Sequence, residues 1–206
     1  KHERVLKSLG NLQTYKDIPS IDMQRNRVRE ADIIIAYNLP IELMITASHL
    51  KMICVSATGY DRVDIAVAKK RNIVVSNCPG FSTEAVAEHT IGLMLSAIRL
   101  SSLAQIELRM GTWKSTHYKG FDLIGKTLGI IGFGRIGKRV AEIAQKGLHM
   151  KIISINSNNT RKDLEMLLKK SDIISVNAPL NNQTRGLISD KEFHLMKKGV
   201  VLVNTG

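Results

Sequence analysis

Residues 127–144 read TLGIIGFGRIGKRVAEIA. An apolar run, Thr127–Gly132, passes directly into a helical pattern, Gly137–Lys146, through Gly132-x-Gly134-x-x-Gly137. Each glycine has a mechanical reason in a strand–turn–helix unit. Gly132 permits the tight turn out of the strand, Gly134 lets the backbone approach a pyrophosphate, and Gly137 allows close packing of helix on strand. The amides that open the helix, at Arg135, Ile136 and Gly137, have no partners within it and attract oxyanions. A bare glycine pattern is weak, and a purely structural turn is its alternative. Between an apolar strand and a helix it points to a bound dinucleotide.

The next strand, Lys151–Ile155, sets the choice of dinucleotide. An NAD site ordinarily carries Asp or Glu about 20 residues beyond the glycines, to hold the ribose hydroxyls. Asn156 and Ser157 stand there instead, and Arg161 follows. Without the acid a 2′-phosphate is not repelled, and Arg161 either attracts one or begins the next helix as a solvated residue. NAD and NADP both remain open.

Working outward, short apolar strands alternate with helical patterns, the signature of parallel α/β architecture. Ala31–Tyr37 reads as a buried strand, as does Met52–Ser56. Asp64–Arg71 reads as a short helix and Ile73–Ser76 as a strand. A long helix begins at Ser82 or Thr83, with Glu84 in its first turn, and breaks near Leu100–Ser102 before a second helix ending around Gly111. It is apolar on more than one face, so burial between domains or subunits is expected. After the glycine unit come a helix at Lys162–Lys170, a strand at Ile173–Asn177, a helix near Asp190–Met196 and a strand at Val200–Asn204.

Composition narrows the function classes. The net charge of +12 raises nucleic-acid binding, but the Lys and Arg are scattered as pairs at the polar edges of amphipathic segments. Aromatics are only 4%, so no base-stacking platform is evident. No run of about 18 apolar residues suggests a membrane span, and Lys1-His2-Glu3-Arg4 lacks the apolar stretch of a secretory leader. Cys54 and Cys78 are too few for a disulfide framework and read as buried thiols. A cytoplasmic protein, with neither nucleic-acid nor membrane partners and no metal, is expected.

Four segments carry a resemblance: SATGYDRVDIAVAKKRNIVVSNCPGFSTEAVAEHT (56–90), LIGKTLGIIGFGRIGKRVAEIAQ (123–145), NAPLNNQTRGLI (177–188) and VVLVNTG (200–206). Their wording and order resemble the D-isomer-specific 2-hydroxyacid dehydrogenases, and 56–90 resembles the glycerate dehydrogenase (hydroxypyruvate reductase) branch. The resemblance implies two doubly wound parallel-sheet, Rossmann-like domains joined by the long helix. Residues 1–80 would form a flavodoxin-like substrate domain and 81–206 a dinucleotide-binding Rossmann domain, with the active site in the cleft between them.

It also implies that the loop Ala57-Thr58-Gly59-Tyr60 offers backbone amides to a substrate carboxylate, with a plain strand-to-helix connection as the alternative. Asn38 is a candidate for the substrate's other end, or an ordinary turn residue. Asn177, Ala178 and Pro179 would line the cofactor cleft, and Thr205 would lie near the nicotinamide. His89 reads as a packed helix residue rather than a proton donor. The family's catalytic Arg, Glu and His are expected beyond Gly206, so no catalytic residue is assigned. The chain thus reads as incomplete at its C-terminus, with a first strand before Lys1 and a seam near Asn159–Thr160 also expected. The implied reaction is hydride transfer between NAD or NADP and a small 2-oxo or D-2-hydroxy acid, hydroxypyruvate or glyoxylate foremost, in a homodimer. D-lactate or D-3-phosphoglycerate specificity, or an NAD(H)-sensing corepressor-like protein without turnover, are the alternatives.

Overall fold

The computed structural model describes residues 2–206 and separates into two compact units. One comprises the chain up to Ser56 with Arg62–Ser76; the other comprises Ala57–Asp61 with Asn77–Gly206. In the first, helices α1 (His2–Leu9) and α2 (Ile21–Val28) precede strand β1 (Ile33–Ala36), helix α3 (Ile41–Thr46), strand β2 (Met52–Val55), helix α4 (Ile65–Lys70) and strand β3 (Val74–Ser76). The strands form a parallel sheet in the order β1-β2-β3, with Ile35 opposite Cys54 and Cys54 opposite Ser76.

Leu43, Met44, Ile53, Val55, Ala68 and Ile73 make this unit's core. Asp64 caps α4, its carboxylate accepting from the Val67 amide at 2.9 Å. Arg71 donates to the carbonyls of Met44 and Ala47 at the end of α3, satisfying acceptors that a helix terminus leaves open. One expectation changes here. The strand 31–37 is not buried: Ile33 and Tyr37 are more than half exposed and Ile35 is half exposed. β1 is the sheet's edge, and among the described residues nothing covers that face. Cys54 is half-buried and Cys78 exposed, so the reading of both as buried thiols is corrected.

The second unit carries helix α5 (Thr83–Arg99), helix α6 (Ser101–Arg109) and a 3-10 turn (Ser115–His117). Then follow strand β4 (Thr127–Ile131), helix α7 (Arg135–Leu148), strand β5 (Lys151–Ile155), helix α8 (Arg161–Lys170), strand β6 (Ile173–Val176), helix α9 (Asp190–Leu195) and strand β7 (Val201–Asn204). The four strands are parallel in the order β5-β4-β6-β7, so the winding reverses beside β4. Period-two alternation divides the core into two layers. Leu128, Ile130 and Ile173 pack with Ala87, Met94 and Ile98 of α5 and Val140 and Ala144 of α7. Ile131 and Ile174 point the other way, onto Leu164, Leu167 and Leu168 of α8. Gly129 lets α8 approach, since a Cβ there would lie 2.6 Å from Leu167 Cδ2.

Helix α5 buries one face, Ala87, Thr90, Ile91, Met94 and Ile98, at helical spacing. His89 lies off that stripe and is exposed, which corrects its reading as a packed residue. The break after α5 falls at Leu100, in left-handed conformation with φ 53°, and α6 leaves at 65° to α5. His149 ends α7 in the same way, with φ 53°. No single helix among the described residues is long and apolar enough to cross a membrane.

Candidate dinucleotide site

The reversal of winding falls between β4 and β6, and loops leave both strands side by side at their carboxyl ends. Ligands of open α/β sheets bind in such crevices. The pairing continues one residue past each strand: Asn177 N–H donates to Ile131 O at 2.8 Å, and Thr205 N–H to Val176 O at 3.0 Å. The β4 exit is tied to β5 as well, because the amides of Gly132 and Phe133 both donate to Ile155 O.

The three glycines do different jobs. Gly132 has φ +96°, and a Cβ there would lie 2.4 Å from Ala178 N and 2.7 Å from Asn177 C. A Cβ on Gly137 would lie 2.3 Å from Gly132 O. Both are required by the protein's own packing. Gly134 is the opposite case: a Cβ there would meet nothing within 4 Å. It heads α7, and no side chain caps that helix. The amides of Gly134, Arg135, Ile136 and Gly137 have no acceptor among the described residues. The first turn carries no acidic side chain. Open space before four unpaired amides, at the positive end of a helix dipole, fits a pyrophosphate.

Asn156 and Ser157 are exposed at the end of β5. The Asn156 side chain accepts from Asn158 N at 2.8 Å, while its backbone N–H donates to Asn159 Oδ1 at 2.9 Å. Asp163 is occupied in the α8 capping box, accepting from Thr160 N at 2.7 Å and Thr160 Oγ1 at 2.9 Å. The Thr160 backbone N–H, then its hydroxyl, holds the Asp163 carboxyl below its ordinary range.

Arg161 begins α8 with its side chain 51% exposed, as the solvated reading has it, but it is also paired. Its guanidinium pairs with the buried carboxylate of Glu192 and lies 3.6 Å from Glu165. Glu192 also accepts from Ser189 N at 2.7 Å and from the Ser189 hydroxyl, closing a capping box on α9. The Ser189 hydroxyl first, then Arg161, lowers the Glu192 carboxyl to about 2. Arg161 therefore ties α8 to α9, a role in which its charge is already matched.

Beneath β6 and β7 runs a chain of side-chain hydrogen bonds. The Ser175 hydroxyl donates to Asn177 Oδ1 at 2.9 Å, and Asn177 Nδ2 donates to Thr205 Oγ1 at 3.0 Å. Thr205 Oγ1 lies 2.9 Å from Thr90 Oγ1, and the Thr90 hydroxyl donates to Val86 O at 2.7 Å. Asn177 and Thr205, singled out in the sequence, are brought together. Ala178 packs its backbone against Gly132 and Gly206, and the carbonyl of Pro179 accepts from Thr184. Thr90 and Ser175, both 1% exposed, had not been singled out. A threonine on the buried stripe of α5 is the signal that finds the first.

The loop after β2 holds Ala57, Thr58 and Gly59 together within the second unit, whereas Asn38 is exposed in the first. The Thr58 hydroxyl contacts Ser82 Oγ at 3.1 Å and Cys78 O at 3.3 Å, and Asn77 Nδ2 donates to Thr58 O at 2.7 Å. These contacts hold the loop while the amides of Thr58, Gly59 and Tyr60 have no acceptor among the described residues. Successive free amides of this kind can hold an anion.

Comparison with known proteins gives a consistent picture. Residues 91–206 match the model of the D-isomer specific 2-hydroxyacid dehydrogenase NAD binding domain. A glyoxylate reductase from Thermococcus litoralis is 37% identical, the match covering 98% of this chain and 67% of the relative. Among solved structures, an acyclic imino acid reductase in complex with NADPH and D-Arg superposes with a TM-score of 0.87 at 34% identity, covering 98% of this chain and 69% of that one. A D-lactate dehydrogenase from Aquifex aeolicus, complexed with NAD and lactic acid, gives 0.84 at 29% identity, covering 100% and 65%. The chain spans 67% of the first glyoxylate reductase, 62% of a second and 61% of a hydroxypyruvate reductase.

Proposed function

Given that the chain belongs to the D-isomer specific 2-hydroxyacid dehydrogenase family, we propose that it holds the cofactor of an NAD(P)-dependent reduction of a small 2-oxo acid to the D-2-hydroxy acid. The observation that carries this reading is the open space before the unpaired amides of α7, at the point where the sheet reverses. When bound, the reduced nicotinamide supplies a hydride to the carbonyl carbon, and a proton completes the hydroxyl. Gly134, Arg135, Ile136 and Gly137 hold the pyrophosphate through their amides. Asn156 and Ser157 lie along the adenosine ribose. Because neither is acidic, the site accepts NAD and NADP. Asn177, Ala178, Pro179 and Thr205 line the nicotinamide half. The amides of Thr58 and Gly59, with Ala57 leading into them, receive the substrate carboxylate. Proton transfer belongs to groups not assigned in this chain.

The arrangement proposed is a substrate domain over 1–80 and a dinucleotide domain over 81–206, both doubly wound and joined by α5, in a cytoplasmic homodimer. α6 supports the dimer, because it buries no residue and exposes Leu103, Ile106 and Leu108. Hydroxypyruvate and glyoxylate are the favoured substrates, in keeping with the named reductases among the relatives. The test is calorimetric titration of the purified protein with NADH and NADPH, followed by rates over hydroxypyruvate, glyoxylate, pyruvate and 3-phosphohydroxypyruvate. Binding with turnover of the first two supports the reading. Preference for either of the others moves the substrate to D-lactate or D-3-phosphoglycerate chemistry. Binding without turnover favours a dinucleotide sensor, and absence of binding refutes the cofactor site.

A further inference from the structure

We propose that Thr90 and Ser175 are positioning residues, which set the orientation of Asn177 and Thr205 toward the nicotinamide half of the cofactor. This rests on the dinucleotide reading above. The donors in the buried chain follow from the Thr90 hydroxyl donating to its own helix. The Thr90 hydroxyl gives its proton to Val86 O at 2.7 Å, so its oxygen accepts from Thr205 at 2.9 Å. The only Thr205 side-chain proton is thereby committed, and its oxygen accepts from Asn177 Nδ2 at 3.0 Å. The Asn177 amide oxygen accepts from Ser175 at 2.9 Å.

Flipping the Asn177 amide would set its oxygen against a Thr205 oxygen that has no proton to give. It would also set the NH2 against a Ser175 hydroxyl that would have to turn its own proton away. The orientation is thus fixed from two buried ends, Ser175 on β6 and Thr90 on α5, each 1% exposed. What remains uncommitted is one Asn177 N–H and one lone pair on the Thr205 oxygen. A carboxamide offers the complementary pair, a carbonyl oxygen and an N–H.

The strand order says which half of a dinucleotide lies above. With the pyrophosphate on α7 after β4 and the adenosine ribose beside Asn156 after β5, the other nucleoside extends over the carboxyl ends of β6 and β7. Asn177 and Thr205 follow those two strands. A merely structural role for Thr90, tying α5 to β7, would touch every ligand equally or none.

The experiment compares NADH with ADP-ribose, which lacks the nicotinamide, by calorimetric titration of wild type, Thr90→Val, Thr90→Ser and Ser175→Ala. Losing one oriented hydrogen bond should weaken NADH binding by Thr90→Val about five- to tenfold, with ADP-ribose unchanged within about twofold. Thr90→Ser, which keeps the hydroxyl, should bind NADH like wild type. Ser175→Ala should repeat the selective loss, and it carries the test if Thr90→Val does not fold. Equal losses for both ligands, or no loss for NADH, overturn the positioning role while leaving the dinucleotide site standing. A wild type that binds neither ligand overturns both.

Discussion

Alanine at Gly134 and alanine at Gly132 should break different properties of the protein. At Gly132 the backbone has φ +96°, where a Cβ costs about 1–2 kcal/mol. The same Cβ would lie 2.4 Å from Ala178 N and 2.7 Å from its Cα. Relieving such an overlap costs about 1–3 kcal/mol. Gly132→Ala should therefore lose about 2–5 kcal/mol, or roughly 5–20 °C in Tm at this chain length. At Gly134 the backbone is extended, with φ −85° and ψ −157°, and the space is empty. Removing unfolded-state freedom gains about 0.4–1 kcal/mol there, and alanine in a capping position costs a similar amount. Gly134→Ala should keep its Tm within about 2 °C. Its methyl group stands where the pyrophosphate meets the amides, however, and losing one charge-assisted hydrogen bond should weaken NADH about 10- to 100-fold. Thermal unfolding followed by circular dichroism and titration of NADH fluorescence read the two effects. A Gly134→Ala protein that binds NADH normally, or a Gly132→Ala protein as stable as wild type, would refute the assignment of the glycines.

Four further outcomes follow from neighbouring contacts. The folded Glu192 carboxyl is held at about 2 against an ordinary 4.5. Its contribution to stability is thus full above pH 4.5 and is lost as pH falls from there toward 2. Glu192→Gln should flatten that limb in urea unfolding across pH, and an unchanged acid limb would contradict the pairing. Asn156→Asp should lower NADPH affinity relative to NADH about tenfold or more by charge repulsion. Arg161→Ala should leave that ratio within about twofold, because Glu192 already holds the guanidinium; a tenfold fall in NADPH binding would show the arginine reaches the phosphate. Leu167→Ala removes a fully buried side chain wedged against Gly129 and should cost about 2–5 kcal/mol by chemical denaturation; a loss below about 1 kcal/mol would contradict that packing.

The βα units and the glycine turn were legible because they rest on short-range rules. Apolar runs alternate with helical spacing, and Gly132 and Gly137 sit where strand meets helix. Burial was less legible, because it depends on what covers a face. Ile33, Ile34 and Ile35 spell an interior strand, yet β1 is an edge with Ile33 and Ile35 exposed. Helix α2 buries no residue, so it left no apolar stripe to read. Side-chain partners were least legible: Thr90 meets Thr205 across 115 positions and Arg161 meets Glu192 across 31. No local pattern encodes such pairs, although a threonine at a buried helical position asks for one.

The left-handed residues at two helix ends leave room for engineering. Leu100 and His149 adopt φ 53° without being glycine. Each carries about 1–2 kcal/mol of steric cost, of which glycine's greater freedom in the unfolded chain would return roughly half. His149→Gly should therefore raise the melting temperature by about 1–4 °C, a gain measurable by calorimetry. His149 is exposed at the far end of α7 from Gly134, so cofactor affinity should not change. Thermal tolerance and ligand recognition can thus be tuned from opposite ends of one helix.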